Sequence, residues 1–141
     1  MSAPRVLIVD DNLMNIMIAQ DILLAELFEV ETAADGVEAM EKVASFRPDL
    51  ILMDIQMPGK DGLEVTRELK ADPATRHIHV IAFTAFAMRG DEAKMRAAGC
   101  DGYLSKPIDV KKFGAQVREA LQASTGDPFR QAGATDPETS R

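Results

Sequence analysis

The chain has one cysteine, Cys100, so it can form no internal disulfide, and a reducing cytoplasm is the simplest compartment for it. It lacks any apolar stretch near the ~18 residues that would suggest a membrane span, and it lacks a charged-then-apolar leader. Neither a transmembrane helix nor a secretory signal is therefore expected. Positive charge is also scarce: 16 Lys and Arg stand against 23 Asp and Glu, a formal net charge of -7. That balance argues against a general nucleic-acid footprint, which needs a basic face. What the chain does have is 46% hydrophobic content in 141 residues, enough for one domain with a substantial core.

Short apolar runs alternate with longer amphipathic segments, the pattern of repeated βαβ units around a parallel sheet. The spacing predicts strands near 5–9, 29–33, 50–53, 79–83 and 102–105. Helices are predicted near 13–26, 36–46, 61–71, 87–98 and 109–122. Gly36, Pro48, Gly59, Pro73, Gly90 and Gly99 fall at or close to the joins, where their backbone preferences help helices start or stop. The expected fold is α/β, a five-stranded parallel sheet with helices on both faces, in one domain over residues 1–122. Residues 123–141 are poor in apolar side chains and rich in Pro, Gly, Ser and Thr, and are expected to form a tail without order.

Three polar clusters follow three of the apolar runs. Asp10-Asp11 follows Val6-Leu7-Ile8-Val9, Asp54 follows Leu50-Ile51-Leu52-Met53, and Lys106-Pro107 follows Tyr103-Leu104-Ser105. Parallel strands point one way, so residues just past their carboxyl ends converge on the sheet edge where such folds bind ligands. Three carboxylates there would be offset by a single ammonium. Two like charges ~4 Å apart cost on the order of 4 kcal/mol at an effective dielectric near 20, so a divalent cation should join them. Oxygen-only ligands favour Mg²⁺, which keeps several waters and takes one or two carboxylates plus phosphate oxygens. The residues thus read as a Mg²⁺-assisted phosphoryl site.

Asp10-Asp11, Asp54, Thr84 and Lys106-Pro107, in this order on the apolar runs, resemble a response-regulator receiver domain of two-component signalling. The flanking LIVDDN, LILMDIQMPGKDG, TAFA and YLSKPI fit as well, and the resemblance covers roughly residues 4 to 122. Asp11 to Asn15 and Ala85 to Glu92 look most like the small single-domain regulators of the DivK type and the receivers of hybrid kinases. The fold this implies is the flavodoxin-like, CheY-like doubly wound (βα)5 arrangement.

The resemblance implies a role for each residue. Asp54 would be the phosphoacceptor, its carboxylate attacking a phosphohistidine phosphorus. Asp11 would bind Mg²⁺ directly and Asp10 mainly through water, with the backbone carbonyl of Gln56 completing the protein's share and Asp54 itself contributing. Either Asp alone could instead cap the following helix. Lys106 would pair with a phosphoryl oxygen, and Pro107 behind it suggests a tight turn that aims the side chain. Thr84 and the backbone of Ala85 would bind the phosphoryl group. Tyr103, the only tyrosine, would turn inward when Thr84 moves, although core packing accounts for its burial equally well. Phosphorylation adds up to about two negative charges and would favour one of two pre-existing packings around Thr84, Tyr103 and helix 87–98.

The segment 13–26 carries two apolar stripes. Ile16, Ala19, Leu23 and Leu27 should face the sheet, and Met14, Ile18 and Ile22 recur at i, i+4 and i+8 on a second face. The second stripe would be a docking surface, set to receive a four-helix phosphodonor bundle over Asp54. The expected partners are a sensor histidine kinase or histidine phosphotransfer protein and a downstream protein target, reached in the cytoplasm without nucleic acid or membrane. Homodimerisation would use Phe86, Met95, Tyr103 and Phe113. No effector domain fits in the tail, so the output would be a changed surface, serving relay or allosteric regulation. A haloacid-dehalogenase-type phosphatase also uses an aspartyl phosphate and Mg²⁺, but needs an acid where Gln56 stands. A binding module with a vestigial site is the remaining alternative, weakened because no site residue is missing.

Overall fold

The computed structural model describes residues 3–55, 57, 61–84, 89–122 and 130–131, with the backbone alone at 89–91 and 130–131. The elements run β1 (Arg5–Val9), α1 (Leu13–Ala25), β2 (Glu29–Ala33), α2 (Gly36–Phe46), β3 (Leu50–Asp54), α3 (Gly62–Ala71), β4 (His79–Thr84), α4 (Arg89–Ala98), β5 (Gly102–Ser105), α5 (Phe113–Gln122) and β6 (Arg130–Gln131). All strand pairs are parallel, in the order β2-β1-β3-β4-β5-β6. The five expected strands and five expected helices are all present.

The inner strands are near-continuous apolar runs because both faces of the sheet are covered. Alternate residues feed two cores. Leu7, Val9, Ile51, Met53, Val80 and Ala82 meet α2, α3 and α4 through Ala39, Val43, Val65, Leu69 and Met95. Val6, Ile8, Leu50, Leu52, Ile81 and Phe83 meet α1 and α5 through Ile16, Ala19, Leu23, Phe113 and Val117. The sheet order reverses between β1 and β3, so Asp10 and Asp54 end neighbouring strands at the crevice where doubly wound folds bind ligands.

Three elements differ from expectation. The helix predicted at 109–122 begins at Phe113, because Asp109 first closes a turn: its carboxylate accepts from the Lys111 amide at 3.0 Å and its carbonyl from the Phe113 amide at 2.9 Å. Part of the segment read as a tail without order instead forms β6, paired beside Gly102 and Tyr103. The β5-α5-β6 crossover passes over the α1 face while its sheet direction matches that of β3-α3-β4 and β4-α4-β5 on the other face, so its hand is opposite to theirs. A two-residue strand joined against the usual hand is a weak edge addition.

The third difference concerns Leu27. It does not continue the buried stripe of Ile16, Ala19 and Leu23 but is 79% exposed, with φ at 70°. The helix stops at Ala25, and the amides of Leu27 and Phe28 donate back to the carbonyls of Leu24 and Leu23 at 3.0 Å each. This is a Schellman stop with leucine where glycine is usual. It turns Phe28 into the core in place of Leu27.

Candidate functional site

Asp10 and Asp54 are brought to the same edge by the register of their strands, Val9 pairing with Met53. Both are buried, at 0% and 3% exposure, whereas Asp11 is exposed. Carboxylate oxygens of Asp10, Asp11 and Asp54 lie within 4.8 Å of one another. Lys106 Nζ stands 3.0 Å from Asp10 Oδ2 and 3.5 Å from Asp54 Oδ1. The ammonium also lies 5.1 Å from the centroid of the Phe83 ring, whose π-face adds to its positioning.

The competition between metal binding and helix capping resolves in favour of a third residue. Asn12 is the N-cap of α1, its side chain accepting from the Asn15 amide at 3.1 Å. Neither aspartate is spent on the cap. Asp10 accepts from the Asn12 amide at 2.8 Å and from Asn15 Nδ2 at 3.4 Å, besides its pair with Lys106. Both Asp10 oxygens are therefore engaged by the protein, while the Asp11 carboxylate faces solvent at the mouth of the cluster.

Thr84 ends β4 buried at 1% exposure, and its carbonyl accepts from the Lys106 amide at 2.8 Å. That bond ties the threonine's backbone to the lysine that reaches Asp54. The Lys106-Pro107 peptide is cis. Tyr103 is half-buried against the core on the α4 side, and its hydroxyl donates to Glu92 Oε2 on α4 at 3.1 Å. Burial first, then the Glu92 bond, holds its phenol pKa above the usual tyrosine value. Gln56, Ala85 and Phe86 lie outside the described residues.

Sequence reasoning missed four contributors. Asn12 and Asn15 hold Asp10, Glu92 holds Tyr103, and Gly62 lies against the backbone carbonyl of Asp54, where a Cβ would overlap that oxygen and come 2.8 Å from Met53 Cγ. Only Asn12, directly after two acids and before an apolar helix, carried a readable capping signal. The others depend on contacts between separate elements.

The second stripe of α1 needs a correction. Met14 is 65% exposed, but Ile18 is half-buried and Ile22 packs against the α1 and α5 core. Ile22 is drawn in because α5 lies beside that flank, sharing a groove with Gly114 and Arg118. The exposed apolar positions are instead Leu13, Met14, Met17 and Leu24. Met95 and Phe113 are buried and cannot line a dimer face as expected, since each fills one of the two cores.

A doubly wound sheet carrying this acid and lysine site at its carboxyl edge defines the receiver class. The response regulator receiver domain model matches residues 6–118, and this chain belongs to that family. The chain is 48% identical over 116 residues to the polar-differentiation response regulator DivK of Brucella anthropi, covering 82% of this chain and 94% of the relative. The corresponding protein of Brucella ovis is 47% identical with the same coverage. Among solved structures, the chemotaxis protein CheY4 of Vibrio cholerae superposes with a TM-score of 0.80 at 27% identity, over 84% of this chain and 99% of that one. A receiver domain of a signal transduction histidine kinase from Syntrophus aciditrophicus gives 0.78 at 30% identity, over 89% and 96%. The chain is a receiver of two-component signalling, a switch phosphorylated on an aspartate. Among the described residues no helix is long and apolar enough to cross a membrane.

Proposed function

We propose that Asp54 is the phosphoacceptor and that Asp10, Asp11 and Lys106 make its carboxylate reactive toward phosphohistidine. The observation that carries this is the placement of a buried Asp54 within reach of two further carboxylates and one ammonium. An Asp54 oxygen attacks phosphorus as the bond to the donor imidazole nitrogen breaks, and the imidazole leaves with that electron pair. Lys106 stands where charge builds on the transferring group and can shift from Asp10 toward it. Thr84 and the backbone of Ala85 receive the phosphoryl oxygens.

The donor set fits Mg²⁺: all oxygen, three carboxylates, two of them buried. Asp11 would hold the ion directly, Asp10 through water because its oxygens are already engaged, and Asp54 and the Gln56 carbonyl would complete the protein's share. When bound, Mg²⁺ supplies neutralisation of carboxylate and phosphoryl charge.

The activity is that of a switch, with no turnover beyond its own phosphorylation and dephosphorylation. It acts in the cytoplasm as a domain formed by residues 1–122, to which β6 adds an edge strand. A sensor histidine kinase or histidine phosphotransfer protein supplies the group, and a downstream protein reads the altered surface. Met14, beside the acidic cluster, anchors the docking face with the half-buried Ile18, while Ile22 supports it from beneath.

Asp54→Asn tests the assignment. The near-isosteric amide is no nucleophile, so labelling by acetyl phosphate and by a kinase is expected to vanish while the protein stays folded. Asp11→Ala should remove both labelling and the rise in Tm that Mg²⁺ confers by mass action. Label persisting on Asp54→Asn, or equal Mg²⁺ stabilisation of wild type and Asp11→Ala, would refute these roles.

A further inference from the structure

From the Tyr103 to Glu92 contact we infer a latch: Glu92 is a positioning residue that holds the switch tyrosine in its resting orientation and so sets how readily the domain responds to phosphorylation. The inference rests on the receiver reading above. It concerns a residue outside the acid and lysine site.

Four observations converge. Tyr103 Oη donates to Glu92 Oε2 at 3.1 Å, across from β5 to α4. The backbone of Tyr103 is held in the sheet by its pairing beside Ala82 of β4, which leaves side-chain rotation as the ready change of state. Tyr103, Thr84 and α4 share one side of the sheet: Tyr103 packs on the cluster containing Ala82 and Met95, and Thr84 follows Ala82 by two residues. Finally, α4 is anchored by Met95 and Ala98, both buried in its second half. Glu92, one turn nearer its start, is a position through which α4 is hydrogen-bonded to β5.

The consequence is a bias with a definite sign. Any inward rotation of the ring toward Thr84 must withdraw the hydroxyl from Glu92, so the bond stabilises the resting state alone. A contact made in only one of two states shifts their balance by its full net free energy. Losing a partly exposed hydrogen bond of this kind should favour the switched state by about three- to tenfold.

The test measures binding of beryllofluoride, a phosphoryl mimic, in the presence of Mg²⁺, on the full chain. Tyr103 is the only tyrosine and the chain has no tryptophan, so intrinsic emission reports this one ring. Glu92→Ala should bind beryllofluoride about three- to tenfold more tightly and change the resting emission. Tyr103→Phe, which cannot be read by emission, should show the same gain by calorimetry. Combining the two should add nothing further, because both remove one interaction. Glu92→Gln keeps an acceptor and should stay near wild type. Unchanged or weaker binding by Glu92→Ala, or additive effects of the two substitutions, overturns the latch alone. Absence of any beryllofluoride response in wild type overturns the phosphoacceptor reading of Asp54 and the latch with it.

Discussion

Lys106 Nζ is closer to Asp10 Oδ2, at 3.0 Å, than to the Asp54 carboxylate that it is expected to serve. Asp10 is fully buried and is held by this ammonium and by the two asparagine donors. Lys106→Ala should therefore destabilise the fold by about 3 kcal/mol, the low end for an orphaned buried ion. Asp54→Asn, which relieves repulsion among the three acids, should be neutral or stabilising. Denaturant unfolding of both variants without Mg²⁺ measures the contrast. Equal loss in the two would mean that Lys106 does not support Asp10.

At Gly62 local propensity and tertiary packing predict opposite signs. Replacing a helical glycine with alanine ordinarily stabilises by about 1 kcal/mol. Here the added Cβ meets the Asp54 carbonyl and Met53 Cγ, and backbone cannot yield cheaply. Gly62→Ala should destabilise by about 1–3 kcal/mol through overpacking. By displacing Asp54, it should also slow labelling by acetyl phosphate by about tenfold, equivalent to about 1.4 kcal/mol. Thermal unfolding and labelling rates on one preparation separate the two effects.

Leu27 offers a substitution in the other direction. Its φ of 70° carries the left-handed penalty of about 1–2 kcal/mol for a residue with a Cβ. Its side chain is exposed and returns little burial. Leu27→Gly keeps the helix stop and should stabilise by about 1 kcal/mol after the added freedom of the unfolded chain is counted. A fall in the urea midpoint would show that the leucine makes a contact the structure does not display.

Docking on α1 is best probed at Met14, since Ile18 is half-buried and an acid there would disturb folding. Met14→Asp should leave acetyl phosphate labelling unchanged. Transfer from a phosphohistidine protein should fall by tenfold or more, because an unpaired charge at a buried contact costs more than the ~1.4 kcal/mol that a tenfold loss requires. Equal transfer from both donors would move the docking face elsewhere.

Deletion of residues 123–141 should leave phosphorylation intact and change stability by less than about 1 kcal/mol. Ordering two strand residues costs about 1–2 kcal/mol each, close to what a pair of net hydrogen bonds returns. Urea unfolding of the shortened chain measures this. A larger loss would make β6 part of the domain and not an edge addition.

The alternation of apolar runs and amphipathic stretches was sufficient to place β1 to β5 and α1 to α4 within a few residues, because strands buried on both faces must be apolar throughout. The residues of the acidic cluster were legible for the same reason: Asp10, Asp11, Asp54 and Lys106 interrupt or follow those runs, where charge has no other business. Asn12 as helix cap was written locally too. Tertiary structure decided the rest. Which acid Lys106 approaches, how Gly62 shelters the Asp54 carbonyl, and how Glu92 reaches Tyr103 depend on where separate elements come to lie. Leu27 and Ile22 show the same limit from the apolar side. Periodicity along α1 cannot tell where the helix stops or that α5 packs against one flank, and burial follows those neighbours, not the hydrophobicity of the side chain.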